Sequence, residues 1–422
     1  MHIAQDIISI LPNRGARLRL LAHARRAVLV ILPLGAGIGF CVAFVWKALG
    51  SFEPWVGSMG GKLNLTVLLP AIGMFLTTVL LYWSRIGQVS LARDLSLAKT
   101  DPYRAFPFLK SIVKVAACGL TIGFGGAVGV EAPGRWLGAA VGVQTHRMLT
   151  FLSHIWRPVR LFRVPPTVFA RAGAGAALAS IFCAPLSGAL MAVEDNGRVD
   201  PISLIPCLIS AASGYMVFAS VYGLHPLLPI PTLPPIGPQE IGWALLLGLL
   251  CGLGSKVYRL LQRYLDKTLG RIPLMWRGLA AGVGLVLLSL PASYFFPGLA
   301  VTQGGGLPLT IHILNTPTLT GWALMFLSLK LFATALTFAG GGVGGLWLPC
   351  LAMGASLGAA VAGLFGVSNP ACLILVGAAS FVGSVHHTLL VPVVFLAETT
   401  AQASLVVPAL VGTAVSFLVS SD

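Results

Sequence analysis

The sequence predicts an all-α protein that crosses a membrane many times. Of its 422 residues, 56% are hydrophobic and only 9% are charged, and the mean hydropathy is +0.90. Soluble domains carry about 25% charged residues, so the composition excludes that class. Stretches long enough to cross a bilayer lie at 27–46, 65–83, 172–193, 202–222, 278–294 and 321–339. Their length predicts helices and excludes a barrel.

Basic residues predict how these helices are oriented. The segment 1–26 contains Arg14, Arg17, Arg19, Arg25 and Arg26 without a cleavage site, so we expect a cytoplasmic N-terminus and no signal peptide. Basic clusters at 147–171 and 256–277 predict cytoplasmic loops, whereas 199–255 lacks lysine and arginine and includes a predicted outside loop. The net charge of +15 therefore reflects mainly topology, with attraction to acidic lipids as the alternative. Because the basic residues flank spans, no nucleic-acid partner is expected.

The seven cysteines lie in apolar segments without a Cys-x-x-Cys pair. This pattern indicates small buried side chains, and neither a disulfide framework nor a metal site. No metal or other cofactor is expected.

An internal repeat becomes visible when Pro133 is aligned with Pro349. The residues that then coincide are Gly125, Gly126, Gly129, Gly138 and Ala139 with Gly341, Gly342, Gly345, Gly354 and Ala355. A second match places Leu186 and Glu194 on Leu390 and Glu398. Glycine and alanine are common in this chain, so composition alone is the alternative explanation. Two related halves are typical of transporters with a site at the repeat interface.

The predicted organisation follows from this repeat. It consists of a first membrane repeat at 27–223, a proline-rich joint at 224–240 and a second membrane repeat at 241–422. Structural pairing or capping is the expected role of Glu194 and Glu398, which occupy mirrored positions.

Glu131 is the most informative residue, because it is an acid inside the glycine-rich run 125–133. An acid at membrane depth is costly and usually faces a cavity, a partner or a transported ion. Each glycine-rich run followed by proline predicts the start of a broken helix. The free amides and positive dipole end of such a start bind anions. The alternatives are close helix packing by small residues and a Glu131 that merely caps a helix.

Two segments carry a family resemblance. Gly129-Val130-Glu131-Ala132-Pro133 and Gly345-Leu346-Trp347-Leu348-Pro349 resemble the G-R-E-G-P and G-x-F-x-P signatures of the CLC chloride channels and transporters. Phe182 to Asp195 and Leu389 to Glu398 resemble two further signature helices, and Lys114 stands seventeen residues before Glu131 as a family lysine does. The resemblance implies a homodimer of CLC-like inverted repeats of tilted, broken helices in a lipid bilayer. Each subunit would carry chloride through its own pathway, as a channel or in exchange for protons.

The resemblance also implies roles for single residues. Glu131 would be the gating glutamate, whose carboxylate competes with the anion for one set of amides and couples it to a proton. The amide donors would be those of Val130, Ala132, Leu346 and Trp347.

Asp195 matches the family acid that hands protons to the inner side. Its carboxylate argues for exchange, because channels carry an apolar residue there. The alternative is that Asp195 merely ends a helix before Asn196-Gly197-Arg198.

The chain departs from the family pattern at the inner constriction. Ser90 is close to the position of the family serine but lacks its usual neighbours, and the last tyrosine is Tyr294, so the family tyrosine of a final helix has no equivalent. We expect a wider gate, which could loosen coupling. Val130 and Trp347 replace the signature arginine and phenylalanine, which alters the charge and bulk of the cavity while leaving the backbone donors in place.

The sequence thus predicts a proton-coupled chloride exchanger of a bacterial inner membrane, without a regulatory cystathionine-synthase-like domain. A passive anion channel and a fluoride/proton exchanger are the alternatives within the family, since some members without the usual serine expel fluoride. The alternative from another class is an intramembrane metal enzyme built on His386, His387 and Glu398. Adjacent histidines point about 100° apart on a helix, and no third ligand follows at helical spacing.

Overall fold

The computed structural model describes residues 14–62, 66–155, 164–195, 197–224, 226–230, 233, 236–367 and 369–421. The helices of the first half are α1 (Arg14–Lys62), α2 (Leu69–Trp83), α3 (Leu91–Ala98), α4 (Pro102–Ala105), α5 (Phe108–Gly123), α6 (Glu131–Ile155), α7 (Pro166–Phe182), α8 (Pro185–Val193) and α9 (Pro201–Tyr222). A two-stranded antiparallel hairpin, β1 (Glu194–Asp195) and β2 (Arg198–Val199), follows α8.

The helices of the second half are α10 (Pro238–Leu269), α11 (Leu274–Phe295), α12 (Leu307–Asn315), α13 (Thr320–Ala339), α14 (Trp347–Leu364), α15 (Ala371–His386), α16 (Leu390–Thr400) and α17 (Val406–Ser420). Short 3-10 turns precede α2 and α17, at Thr66–Leu68 and Ala403–Leu405.

Within these described ranges, seven segments are long and apolar enough to cross a membrane. They are Val28–Met59, Ile202–Tyr222, Pro238–Leu269, Leu274–Phe295, Thr320–Ala339, Trp347–Leu364 and Ala403–Ser420. The predicted all-α polytopic membrane fold is therefore confirmed.

One predicted span is wrong. The stretch 172–193 forms two helices, α7 and α8, that meet at Cys183, whose φ is 51°. Ala184 has non-helical backbone angles, with φ −139° and ψ 85°, and Pro185 occupies the first turn of α8. A proline disfavours helical backbone at the residue before it but suits the start of a new helix, so the chain breaks inside an uninterrupted apolar run.

The two halves contain the same helix pairs. Helices α6 and α7 pack together in the first half, as α14 and α15 do in the second. Helix α9 packs on α7 and α1, just as α17 packs on α15 and α10. The boundary between the halves consists mainly of contacts of α2 with α11 and of α8 with α16.

Two glutamates join the halves at the second of these boundaries. Glu194 accepts hydrogen bonds from the amides of Leu389, Leu390 and Val391 at the start of α16, at 2.6, 3.0 and 2.8 Å. Glu398 accepts from the amides of Leu186 and Ser187 at the start of α8, at 2.8 and 2.6 Å, and from the Ser187 hydroxyl. Each acid therefore caps a helix of the opposite half, which agrees with the capping role expected for mirrored positions.

Replacing Glu398 by alanine is expected to destabilise the protein by about 2 kcal/mol, because the start of α8 loses its cap and the buried Ser187 loses its acceptor. Thermal unfolding in detergent measures the effect as a lowered midpoint. Glu398→Gln retains one acceptor oxygen and is expected to lose less. Equal midpoints for Glu398→Ala and the unaltered protein would contradict the capping role.

Candidate functional site

The two glycine-rich runs meet in space. The amide of Gly129 donates to the carbonyl of Gly345, and the amide of Gly345 donates to the carbonyl of Gly129, each at 2.8 Å. This antiparallel bridge places the start of α6 against the start of α14. The repeat read from glycine and proline spacing therefore corresponds to a direct contact.

A second pair of reciprocal bonds holds the runs in place. Thr121 accepts from the amide of Val343, and Thr337 accepts from the amide of Ala127, both at 3.1 Å. Gly125 and Gly341, which have φ values of 96° and 90°, turn the chain after α5 and α13. Glycine adopts these left-handed conformations without steric cost.

Glu131 lies at this junction and is only 4% exposed. Its Oε1 accepts hydrogen bonds from the amides of Trp347 at 2.5 Å and Leu348 at 3.3 Å. These are free amides of the first turn of α14, where the helix dipole also favours negative charge. The carboxylate thus occupies an anion-binding helix start that belongs to the other half of the protein.

The structure uses a slightly different set of donors from the predicted one. Trp347 donates to the carboxylate as expected, and Leu348, which the sequence analysis missed, joins it. Among the described residues, the amides of Val130, Ala132 and Leu346 make no hydrogen bond to the carboxylate. Every residue except proline carries a backbone amide, so residue type does not show which amides bind the carboxylate. The only sign that Leu348 would be a donor was its place in the first turn of α14.

The missing side chains of two glycines make room for the carboxylate. A Cβ atom at position 129 would lie 2.0 Å from Oε2 of Glu131, and one at position 345 would lie 2.0 Å from its Cδ. Any other residue at these positions would compete with the carboxylate for the same space. Glycine is therefore required here for a close approach.

A cavity of about 840 Å³ lies against Glu131. Its wall includes four basic residues, Lys99, Arg135, Arg259 and Arg263, and three acids, Glu131, Glu194 and Asp266. A cavity with this balance of charge attracts anions.

The structure also places Ser90 on the wall of this cavity. It is the N-cap of α3 and accepts from the amide of Arg93 at 3.4 Å. On the same helix, Asp94 accepts from Lys114 at 2.5 Å and from Trp136 Nε1 at 2.9 Å. The lysine highlighted by the family resemblance therefore holds α3 against α5 and α6.

Arg135 and Tyr258 are cavity residues that the sequence analysis did not name. Arg135 stands four residues after Glu131 on α6, and this spacing, which puts both on one helix face, was an available signal. Its guanidinium donates to the carbonyl of Met191 and interacts electrostatically with Glu131. Tyr258, on α10, is 3% exposed and brings a hydroxyl group to the wall.

Asp195 is the predicted site residue about which the structure says least. Its backbone is part of β1, and its side chain lies outside the described part of the structure. Helix α8 ends at Val193, two residues before it. The expected inner proton acid thus stays a prediction.

The residues of the alternative metal site have separate partners. His387 Nε2 lies 3.1 Å from the Arg259 guanidinium, and both oxygens of Glu398 bond to the start of α8. The His386 ring contacts the Trp347 ring, with ring centroids 5.2 Å apart and an angle of 43° between the ring planes. Across the described ranges, no three potential metal-binding side chains form a cluster.

Paired broken helices around a buried acid, inside a bundle of membrane-spanning segments, define a membrane transport protein. The chain belongs to the voltage gated chloride channel family, whose model matches residues 87–421. Family membership confirms the predicted CLC resemblance. It also confirms the prediction of a transport protein and not an enzyme.

Two curated relatives show how far the sequence similarity extends. An uncharacterised protein of Methanocaldococcus jannaschii is 26% identical over 64% of this chain and 64% of its own length. The H(+)/Cl(-) exchange transporter ClcA of Vibrio cholerae is 29% identical over 56% of this chain and 49% of its own length. The matches thus cover less than two thirds of either relative.

Solved structures show the same fold. A slow cyanobacterial Cl-/H+ antiporter matches with a TM-score of 0.79 at 18% identity, covering 94% of each chain. A CLC-type fluoride/proton antiporter matches with a TM-score of 0.74 at 23% identity, covering 94% of this chain and 95% of the other.

Proposed function

We propose that this protein exchanges chloride, or a similar small anion, for protons across a membrane, with Glu131 as the gating residue. The observation that carries the proposal is the carboxylate of Glu131 on the amides of Trp347 and Leu348. A permeating anion needs the same donors that this carboxylate occupies. The two negative groups therefore compete for one place.

Competition of this kind couples the anion to the proton. An ionised Glu131 holds the amides and blocks the path, whereas a protonated Glu131 is a weaker acceptor and yields to an arriving anion. The anion in turn favours protonation of Glu131, since the two binding equilibria are linked in both directions. The unpartnered Oε2 of Glu131 is the atom available for the proton.

The remaining predicted site residues have supporting roles in this proposal. The amides of Val130, Ala132 and Leu346 would bind the anion at neighbouring positions on its path, and Ser90 would contribute a hydroxyl group from the cavity wall. Asp195 would pass protons between Glu131 and the inner solution.

The proposed setting is a homodimer in a bacterial inner membrane. On the outer surfaces of α9 and α17, Ile202, Ile205, Val407 and Leu418 are exposed apolar side chains that suit contact with lipid or with a second subunit. Cross-linking or mass photometry of the purified protein tests the dimer. A particle of single-subunit mass at all concentrations would contradict it.

An exchanger is expected to drive protons uphill when an anion gradient is imposed. Purified protein in liposomes loaded with chloride, diluted into chloride-free buffer containing a pH indicator, measures this directly. A passive channel would release chloride without moving protons against their gradient. The same assay with fluoride and nitrate distinguishes the fluoride/proton alternative.

A further inference from the structure

Three buried polar atoms beside the gate have no hydrogen-bond partner among the described residues. They are Oε2 of Glu131, Nε1 of Trp347 and Nε2 of His386. All three residues line the same cavity. Buried polar groups are nearly always paired, so a cluster of unpaired ones marks a place that water or a polar ligand can occupy.

The proposed gating mechanism uses the first of these atoms but not the other two. Trp347 contributes its backbone amide to Glu131, while its side chain, 5% exposed overall, keeps an indole N–H donor without an acceptor. An indole N–H is a donor only. The group it lacks is therefore an acceptor.

His386 is the last residue of α15, and its ring contacts this indole ring in a tilted arrangement. Its ring hydrogen-bonds the backbone of Leu346, and because Nε2 has no partner, that bond uses Nδ1. In the neutral ring Nε2 then carries a lone pair. In the protonated ring Nε2–H becomes a second donor, next to the indole N–H.

The fold itself does not require a histidine at this position. Phe182 ends α7 just before a left-handed residue, as His386 ends α15. Phe182 is fully buried against Phe395, and Phe395 also contacts Trp347. An apolar ring is therefore sufficient at this position in the first half. At the equivalent position of the second half, the imidazole adds a group that can form hydrogen bonds and take up a proton.

Arg135 supplies positive charge to the same place. Its guanidinium interacts electrostatically with both Glu131 and His386. The adjacent His387, which itself contacts Arg259 of α10, is a further titratable group beside this histidine, and Glu131 lines the same cavity.

We propose that Trp347, His386 and Arg135 form a side-chain binding site for a small monovalent anion on the cavity side of the gate, filled when His386 is protonated. The inference rests on the proposed anion transport and adds a second place where a proton and an anion bind together. The indole N–H and the imidazolium Nε2–H donate to the anion, and the guanidinium adds its charge. Taking up one proton with one anion leaves the net charge of the site unchanged, which keeps the cost of occupancy low at membrane depth.

The test removes the contribution of Glu131 first. In a Glu131→Gln background, chloride affinity is measured by isothermal titration calorimetry in detergent at about pH 4.5 and about pH 8, a range wide enough to protonate a buried imidazole. We expect binding about tenfold tighter at the lower pH, the size of one charge-assisted hydrogen bond. Adding His386→Gln is expected to make affinity independent of pH, whereas His387→Gln, the matched control, is expected to keep the dependence.

A second variant guards against indirect effects of changing His386. Trp347→Phe keeps the ring and the backbone amide but removes the indole N–H, and it is expected to weaken chloride binding about fivefold. Unchanged affinity in this variant, or a pH dependence that survives His386→Gln, would overturn the side-chain site while leaving exchange at Glu131 intact. Absence of any halide binding or flux in the unaltered protein would remove the proposed function itself.

Discussion

Glu131→Gln is expected to abolish proton movement while anion flux continues. Glutamine has nearly the same shape as glutamate but neither ionises nor carries an exchangeable acid proton. It therefore cannot compete as an anion for the amides of Trp347 and Leu348, which hold the carboxylate at 2.5 and 3.3 Å. Liposome flux measured with paired chloride and pH electrodes should show proton flux reduced by at least about tenfold, the effect of losing a step that needs this acid.

A matched control is available on α10. Glu240 accepts a hydrogen bond from the amide of Gly237 at 2.7 Å at a helix start far along the chain. Glutamine preserves such a cap, so Glu240→Gln is expected to retain full coupling. Proton transport that persists in Glu131→Gln would contradict the gating role. Capping the start of α14 would then be the remaining role of Glu131.

Gly345→Ala is expected to reduce anion flux by about tenfold or more. The new Cβ would lie 2.0 Å from Cδ and 2.2 Å from Oε1 of Glu131, whereas carbon atoms in contact are about 3.5–4.0 Å apart. The methyl group and the carboxylate cannot both remain. The methyl group also takes space from an anion that would bind the start of α14.

The cause of this loss can be isolated by a double substitution. If the clash with the carboxylate is the main cause of the lost flux, Gly345→Ala should reduce flux much less in a Glu131→Ala background. The effects of substitutions at residues in contact are not additive. Gly321→Ala is the control, because a Cβ there meets no atom within 4 Å. Turnover in Gly345→Ala equal to that of the unaltered protein would show that the carboxylate does not need this space during transport.

The membrane fold was predictable because composition and helix length act locally. Long apolar runs leave backbone groups no partner in lipid other than the helix itself, so most predicted spans match helices of the structure. The run 172–193 was misread because its apolar character continues through the break at Cys183. Only Pro185 signalled that a second helix begins there.

The candidate site was predictable where it depends on side chains with a distinct chemistry. Glu131 stood out as an acid among apolar residues, and the spacing of glycine and proline indicated where α6 and α14 begin. The partners were harder to predict. Glu194 and Glu398 were expected to pair or cap, but which amides they cap depends on contacts between residues far apart in the chain.

The sequence by itself determined that this chain spans a membrane, that its helices are broken at two matched glycine runs, and that one run carries an acid. Tertiary structure alone decided that this acid binds the amides of the opposite run, and that Trp347 and His386 face the same cavity. The physical reason is that apolar burial and helix breaking depend on neighbouring residues. Backbone amides, by contrast, have the same chemistry at nearly every residue and acquire a role only when folding brings an acceptor to them.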